Sequence, residues 1–404
     1  MFRKVFYVIS MFLFMICLSG CKNNEKIKID MSNVKWEYND DFEYNGSSYE
    51  VELVNLPKEV SVSYGGDTSA RDPGNYTATV TFSYDAEKYE LVNNKIQGEF
   101  NWKIWDVFYV RGAESSASSN HHTSLFDGRV TRSLINYIHF VNYITTDTSK
   151  VTESTPYLWY ENENGETHVY IGFDATKYKN IKLPANSSYY FAYMHNLEGI
   201  TGLEYVDTSN VTDMKYMFYS TGYNSSNFTL DLNSFNTKNV TNMESMFEHT
   251  AQYNVNFTLN LGDNFDTSNV TNMKSMFEEC GYHSNVLVLD LKDKFNTSNV
   301  TTMERMFWNA GWHSEAMYID LGNNFDVSKV TKFDRMFANI VSSTNQNNWN
   351  LSIKGTVKSN ATTANMFANF APNVNKTIYV DNITSKNILD TKIGETTNIT
   401  VIVR

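Results

Sequence analysis

The chain has 404 residues, 41% of them hydrophobic and 15% aromatic, which is enough to bury sizeable cores in two or three domains. Its 33 basic side chains against 45 acidic ones give a formal charge of -12 and argue against nucleic acid as a partner. Of the 3 cysteines, Cys17 and Cys21 lie at the N-terminus and Cys280 stands alone, which excludes a disulfide framework and a cysteine-built metal site.

In chain order, Arg3 and Lys4 precede an uncharged run from Val5 to Leu18 that ends in Leu18-Ser19-Gly20-Cys21. A basic start, a short apolar run and small residues make a secretory signal, too short to cross a membrane as a helix. The LSGC tetrapeptide resembles the lipobox of bacterial lipoproteins. That resemblance implies that residues 1–20 are removed and that Cys21 carries lipid. Loss of Arg3 and Lys4 leaves 31 basic groups against 45 acidic ones, a mature charge of -14. The expected location is the extracellular face of the cell membrane, with acyl chains as the anchor.

Residues 21–29 form a polar tether. From residue 30 to 104 the pattern is that of strands with one buried face. In Tyr76-Thr-Ala78-Thr-Val80-Thr-Phe82-Ser-Tyr84 apolar or aromatic residues alternate with Thr or Ser, and Val60-Ser-Val62-Ser-Tyr64 does the same. Asn45-Gly46 and Asp72-Pro73-Gly74-Asn75 supply turns. An antiparallel β-sandwich is predicted, and "GNYTATVTFSYDAEKYEL" with "FNWKI" resembles the Ig-like modules of bacterial surface proteins, which implies a spacer.

Residues 105–189 read as a lead-in and N-terminal cap, with strand-like Tyr157-Leu-Trp-Tyr160 and His168-Val-Tyr-Ile-Gly172. Its stretch "AESSASSNHHTS" is a polar loop. His121, His122 and Asp127 lack further spaced ligands, so no metal site is expected there.

Residues 190–370 repeat. Phe218, Phe247, Phe277, Phe307, Phe337 and Phe367 recur at intervals of 29, 30, 30, 30 and 30, a period that predicts a solenoid, closed by a cap over 371–404. Each copy contains an alternating run, such as Phe228-Thr-Leu230-Asp-Leu232, predicted as a strand. Val240, Met243, Met246 and Phe247 fall at i, i+3, i+6 and i+7, which predicts a short helix with one apolar stripe. Thr241 with Glu244, and Thr301 with Glu304, have capping-box form, and Gly222, Gly281 and Gly311 are placed to end the helix in a left-handed residue. The predicted fold class is therefore mixed: an all-β Ig-like sandwich, then an α/β leucine-rich-repeat-like solenoid with one strand and one short helix per copy.

Two polar columns alternate. Asp207, Asn236, Asp266, Asn296 and Asp326 would hydrogen-bond between copies, and Lys215, Glu244, Lys274, Glu304 and Asp334 would form an ion-pair ladder, with Arg335 available to Glu304. Cys280 takes a small apolar slot and reads as a buried thiol. The methionines read as core filling, and no nucleophile elbow, zinc-protease, P-loop or dinucleotide motif occurs. No cofactor and no enzymatic activity are expected. One column is open to two readings. Tyr223, Tyr253, Tyr282 and Trp312, with His283 and His313 beside the last two, form either a packing ladder or an exposed stripe for a sugar or a protein.

The copies "LDLNSFNTKNVTNMESMF", "FDTSNVTNMKSMF" and "FNTSNVTTMERMF" resemble the BspA-like leucine-rich-repeat surface proteins of bacteria, which include mycoplasma-type repeat lipoproteins of unknown function. The resemblance is firm over about Tyr190 to Phe370 and weakens in Phe325 to Phe337, where Val327, Lys329 and Phe333 replace the usual Thr, Asn and Met. It implies display outside the cell and binding of an extracellular protein or glycan, and it carries no catalytic residue over. The leading expectation is a lipid-anchored interaction protein, the alternative a carbohydrate-binding lipoprotein using the aromatic column.

Overall fold

A computed structural model describes residues 25–38, 42–43, 47–109, 131–146, 153–154, 157–254, 256–291, 295–340, 349–369, 376–393 and 399–404. Cys21, the Asn45-Gly46 turn, His121, His122 and Asp127 lie outside them. The described chain is mostly β-strand, without a closed barrel, and its single α-helix spans Ile383–Ile393. It divides into two compact units, residues 1–106 and 107–404.

In the first unit, Gly74–Ser83 pairs antiparallel with Ser61–Gly66 on one side and Glu99–Ile104 on the other. The alternation read from sequence has its physical cause here: Ala78 and Val80 are buried while Thr81 and Ser83 are exposed. Lys35–Glu37 pairs antiparallel with Glu52–Val54, and Ile27–Asp30 runs parallel to Tyr89–Val92. Ile29, Met31, Val34, Leu53, Val60 and Val80 form one apolar cluster. Val51, Ala78, Trp102 and Ile104 form another, where the Trp102 indole N–H donates to the Asp67 carbonyl at 2.7 Å.

The second unit contains a hairpin, Tyr157–Glu163 against Glu166–Gly172, closed by Asn164 and Gly165 in the left-handed region. Glu166–Gly172 lies parallel to Ile135–Val141, which lies parallel to Gly199–Thr201. Parallel pairing then follows the repeat. Phe228 pairs with Phe257 and Leu230 with Leu259, and Leu287 pairs with Met317 and Leu289 with Ile319. Trp349–Ile353, Lys376–Val380 and Ile399–Val403 extend the pairing. Period-2 alternation again decides the faces. Phe228, Leu230, Leu287, Leu289, Met317 and Ile319 are buried, while Thr229, Thr258, Val288 and Tyr318 point outward.

The predicted helices are absent from the described copies. The N–H groups of Met243, Ser245, Phe247 and His249 donate to the carbonyls of Asn272, Lys274, Met276 and Glu278 in the next copy, at 2.8–3.0 Å. The N–H groups between them, on Met246, Glu248 and Thr250, close tight turns onto Met243, Ser245 and Phe247. Ser245 and His249 adopt φ of 57° and 58°. A helix needs uniformly negative φ and an i to i−4 bond from every amide, and here every second amide is taken by the neighbouring copy. Thr241 does not cap: its hydroxyl donates to the Thr212 carbonyl at 3.2 Å, and the Asn242 side chain accepts the Glu244 N–H at 3.1 Å. Gly222, Gly281 and Gly311 do adopt the left-handed conformation, as does Ala251 in the equivalent slot.

The apolar spacing nevertheless buries the residues it marked. Val240, Met243, Met246 and Phe247 are fully buried. The phenylalanines stack as one column from Phe191 through Phe218, Phe247, Phe277, Phe307 and Phe337 to Phe367, with centroids 5.1–5.7 Å apart and planes within 11°.

The Asp/Asn column works within each copy. Asp207, Asn236, Asp266, Asn296 and Asp326 each accept the N–H two residues on, from Ser209, Lys238, Ser268, Ser298 and Ser328. Links between copies come from the next residue. The buried hydroxyls of Thr208, Thr237, Thr267 and Thr297 donate to the carbonyls of Asn236, Asp266, Asn296 and Asp326 at 2.8–3.0 Å. Asn239, Asn269 and Asn299 add a second ladder, donating to Ser209, Lys238 and Ser268 carbonyls at 2.7 Å.

The charge ladder forms in separate pairs: Lys215 with Glu244 at 3.2 Å and Lys274 with Glu304 at 4.0 Å. Between them Glu244 accepts from Asn272 at 2.9 Å, and Arg335 lies over the Trp308 ring. Lys274→Glu is therefore expected to lower stability by no more than about 1 kcal/mol, since the pair is partly exposed. Glu304→Lys in that background should restore the melting temperature and Glu244→Lys should not. Equal rescue by both would show that Lys274 is shared.

Candidate functional site

The columns just after each buried phenylalanine carry residues that differ between copies. Tyr253, His283 and His313 donate their N–H groups to the carbonyls of Tyr223, Gln252 and Tyr282. That register puts Tyr253, His283 and His313 in one column and Tyr223, Gln252, Tyr282 and Trp312 in the adjacent one. Tyr253 thus sits one column away from the other three candidates of the sequence reading, because the copy that holds it begins after an interval of 29 rather than 30 residues.

The candidates are nevertheless brought together. Tyr253 stacks on His283 and His283 on His313, each with centroids 4.9 Å apart. Tyr223 meets Tyr253 at 5.1 Å, and Tyr282 lies edge-on to both histidines at 4.9 Å. Trp312 is 6.2 Å from His313 and steeply inclined to it. Tyr253 is half exposed, and His283 and His313 are exposed. Since the stacked rings cover each other's faces, the column offers ring edges to solvent: imidazole nitrogens and a phenol hydroxyl. Burial, then the neighbouring His313, lowers the pKa of His283.

A second cluster escaped the sequence reading because its members are scattered among neutral residues in the other copies. Glu248, His249, Glu278, Glu279 and Arg305 come from three successive copies. His249 lies 3.2 Å from Glu279 and 3.5 Å from Glu248, and Arg305 lies 3.7 Å from Glu278. Glu279 also accepts from Asn309 at 3.0 Å and from Gln252. Burial opposes charge on His249, but the adjacent Glu279 carboxylate and the surrounding carboxylates together raise its pKa. Burial pushes Glu278 up to about 7, against the Ser275 hydrogen bond and Arg305.

The sign of the resulting pH dependence follows directly. Between the ordinary carboxylate pKa and about 7 the folded state binds this proton more tightly than the unfolded chain, so the Glu278 contribution to stability falls as pH rises through that window. Glu278→Gln is expected to raise stability at pH 8 by at most about 3 kcal/mol, less what Arg305 loses, and to have no such advantage near pH 4. Melting curves of both proteins across pH check this. A gain independent of pH would assign the effect to packing.

In the lead-in, another group unmarked by sequence lines one sheet face. Trp159, Tyr170, His139, His168 and Tyr137 form a chain of near-parallel rings 4.7–5.3 Å apart. The two imidazoles are hydrogen-bonded at 3.0 Å, and Tyr137 donates to Glu198 at 2.7 Å. Cys280 is fully buried, and burial pushes its thiol far up, which suits a core filler and not a nucleophile. Among the described residues no three His, Cys, Asp or Glu side chains are placed to hold a metal ion.

Fold and surface together define a β-rich chain with stacked repeats of about 30 residues, whose repeated apolar side chains build the core. Residues 185–287 and 256–380 match the family described as Mycoplasma protein of unknown function, DUF285, which fits the broad group of BspA-like repeat proteins that the motifs resemble. No curated protein and no solved structure matches the chain.

Proposed function

We propose that this chain is a lipid-anchored bacterial surface protein whose repeats form a leucine-rich-repeat-like solenoid mediating adhesion or protein–protein interaction outside the cell. In this reading Cys21 carries the lipid and residues 30–104 are an Ig-like spacer. The observation that carries it is the division of labour within each copy. The repeated Phe side chains are buried in the core and the repeated, buried Thr hydroxyls bond the next copy, which leaves exposed varying residues to meet a partner. The family match over the repeats supports the reading, as does the LSGC tetrapeptide.

Radiolabelled palmitate should enter the full chain and be lost in Cys21→Ser, and intact cells should expose the protein to added protease. Protein that stays protected and unlabelled would overturn the reading. A glycan-binding alternative is favoured by the exposed Tyr253, His283 and His313 column beside Tyr282 and Trp312. It requires that glycan-array binding be lost in Tyr282→Ala and Trp312→Ala.

A further inference from the structure

Charge is not spread evenly over the copies. Counting 30 residues from 205, 235, 265 and 295, each of the first four copies carries a net charge of -2. The fifth, residues 325–354, carries +2, with Lys329, Lys332, Arg335 and Lys354 against Asp326 and Asp334. The reversal arises mainly at three positions that are neutral in the second and third copies. Two residues before the buried Phe the column runs Ser245, Ser275, Arg305, Arg335. Five before, it runs Asn242, Asn272, Thr302, Lys332, and eight before, Asn239, Asn269, Asn299, Lys329.

The structure brings some of these cations together across copies. The guanidiniums of Arg305 and Arg335 lie 4.7 and 5.5 Å from the centre of the Trp308 ring. Backbone pairing seats Lys332 between Thr302 and Thr362. The Lys358 ammonium donates to the Lys329 carbonyl at 3.3 Å, and the Lys329 ammonium to Asn299 at 2.5 Å. Only Arg305 has a carboxylate partner, Glu278; among the described residues Lys329, Lys332, Arg335 and Lys358 have none within 4.0 Å.

We infer that the basic surface formed by Arg305 and Arg335 over Trp308, together with Lys329 and Lys332 of the fifth copy and Lys358 of the next, binds a linear polyanionic glycan bearing sulfate or uronic-acid groups. Unpaired cations on a protein of net charge -12 need an anionic partner to be complementary. Arg305 and Arg335 occupy the same position in successive copies, a step of about 5 Å in stacked parallel strands, and the Lys358 ammonium reaches back to the Lys329 carbonyl of the copy before it. Such a line matches charges recurring along a chain and not a single compact anion. Guanidinium forks take sulfate or carboxylate in two parallel hydrogen bonds, and the indole beneath them limits the freedom lost on binding. The inference deepens the surface-interaction reading by naming a partner class.

The test measures binding of the detergent-solubilised full chain to heparin, hyaluronate, poly-glutamate, duplex DNA and phosphatidylglycerol vesicles at physiological ionic strength. Heparin or hyaluronate should bind best. K332N/R335S, which restores residues that the third copy carries, should weaken that binding at least tenfold while melting like the parent. Arg335→Lys should weaken it less, and Lys238→Ser, in the second copy, should leave it unchanged. Tighter binding of poly-glutamate, DNA or vesicles, unchanged glycan affinity in K332N/R335S, or no glycan binding would overturn the inference. Because binding is measured in solution, failure of surface display would sink the adhesin reading and leave this result standing.

Discussion

Phe277→Ala is expected to cost about 3–5 kcal/mol of stability, the usual range for removing a fully buried phenyl ring. Phe277 is entirely buried and stacks on Phe247 at 5.3 Å and on Phe307 at 5.5 Å, so its loss opens a cavity bounded by two rings that cannot close without shifting both copies. Phe367→Ala, in the last copy of the column, is expected to cost less because its ring is less completely buried than that of Phe277. Chemical denaturation of both variants tests the order. Hydrogen exchange should show the damage of Phe277→Ala in the amides of the adjoining copies, since those amides donate across them. A loss under 1 kcal/mol for Phe277→Ala would mean that the column is not the core it looks like.

Gly202→Ala is the second large effect, expected to cost roughly 3 kcal/mol or more because two penalties coincide. Gly202 has φ of 75°, and a Cβ there would collide with the carbonyl oxygen of Phe140, near the C-terminal end of the strand Ile135–Val141. Gly165→Ala separates the two penalties. Its φ is 90°, yet an added Cβ would meet nothing within 4 Å, so only the left-handed strain of about 1–2 kcal/mol remains. If the two substitutions destabilise equally, the close approach of Gly202 to the Phe140 strand does not hold in solution.

The core of the repeats was legible in the sequence because a nearly constant interval between Met-Phe pairs leaves few ways to bury them. Val240, Met243, Met246 and Phe247 were marked as one apolar face and are buried as one. The same spacing misled on conformation. Positions i, i+3, i+6 and i+7 fit a helix, and they also fit a run of tight turns whose alternate amides reach a neighbouring copy. Asp266 was legible as a turn residue, and its side chain accepts the Ser268 N–H. The expected bond from that column to the next copy comes instead from Thr267, because a carboxylate folded onto its own turn is no longer available to a neighbour.

The candidate surface was half legible. Tyr223, Tyr253, Tyr282 and Trp312 are close together, but the line Tyr253, His283 and His313 emerges only from backbone register, after the shorter interval has shifted it by one column. The cluster of Glu248, His249, Glu278 and Glu279 gave no signal, since residues 30 apart become neighbours only when copies pair.

What the order of residues could dictate was local and periodic: where each copy begins, which side chains turn inward, and where strands must run. Which carbonyl each amide takes, which hydroxyl joins two copies and which charges meet were decided by stacking. A backbone amide can serve a helix or a neighbour with similar energy, and the choice falls to whichever arrangement also buries the Phe column.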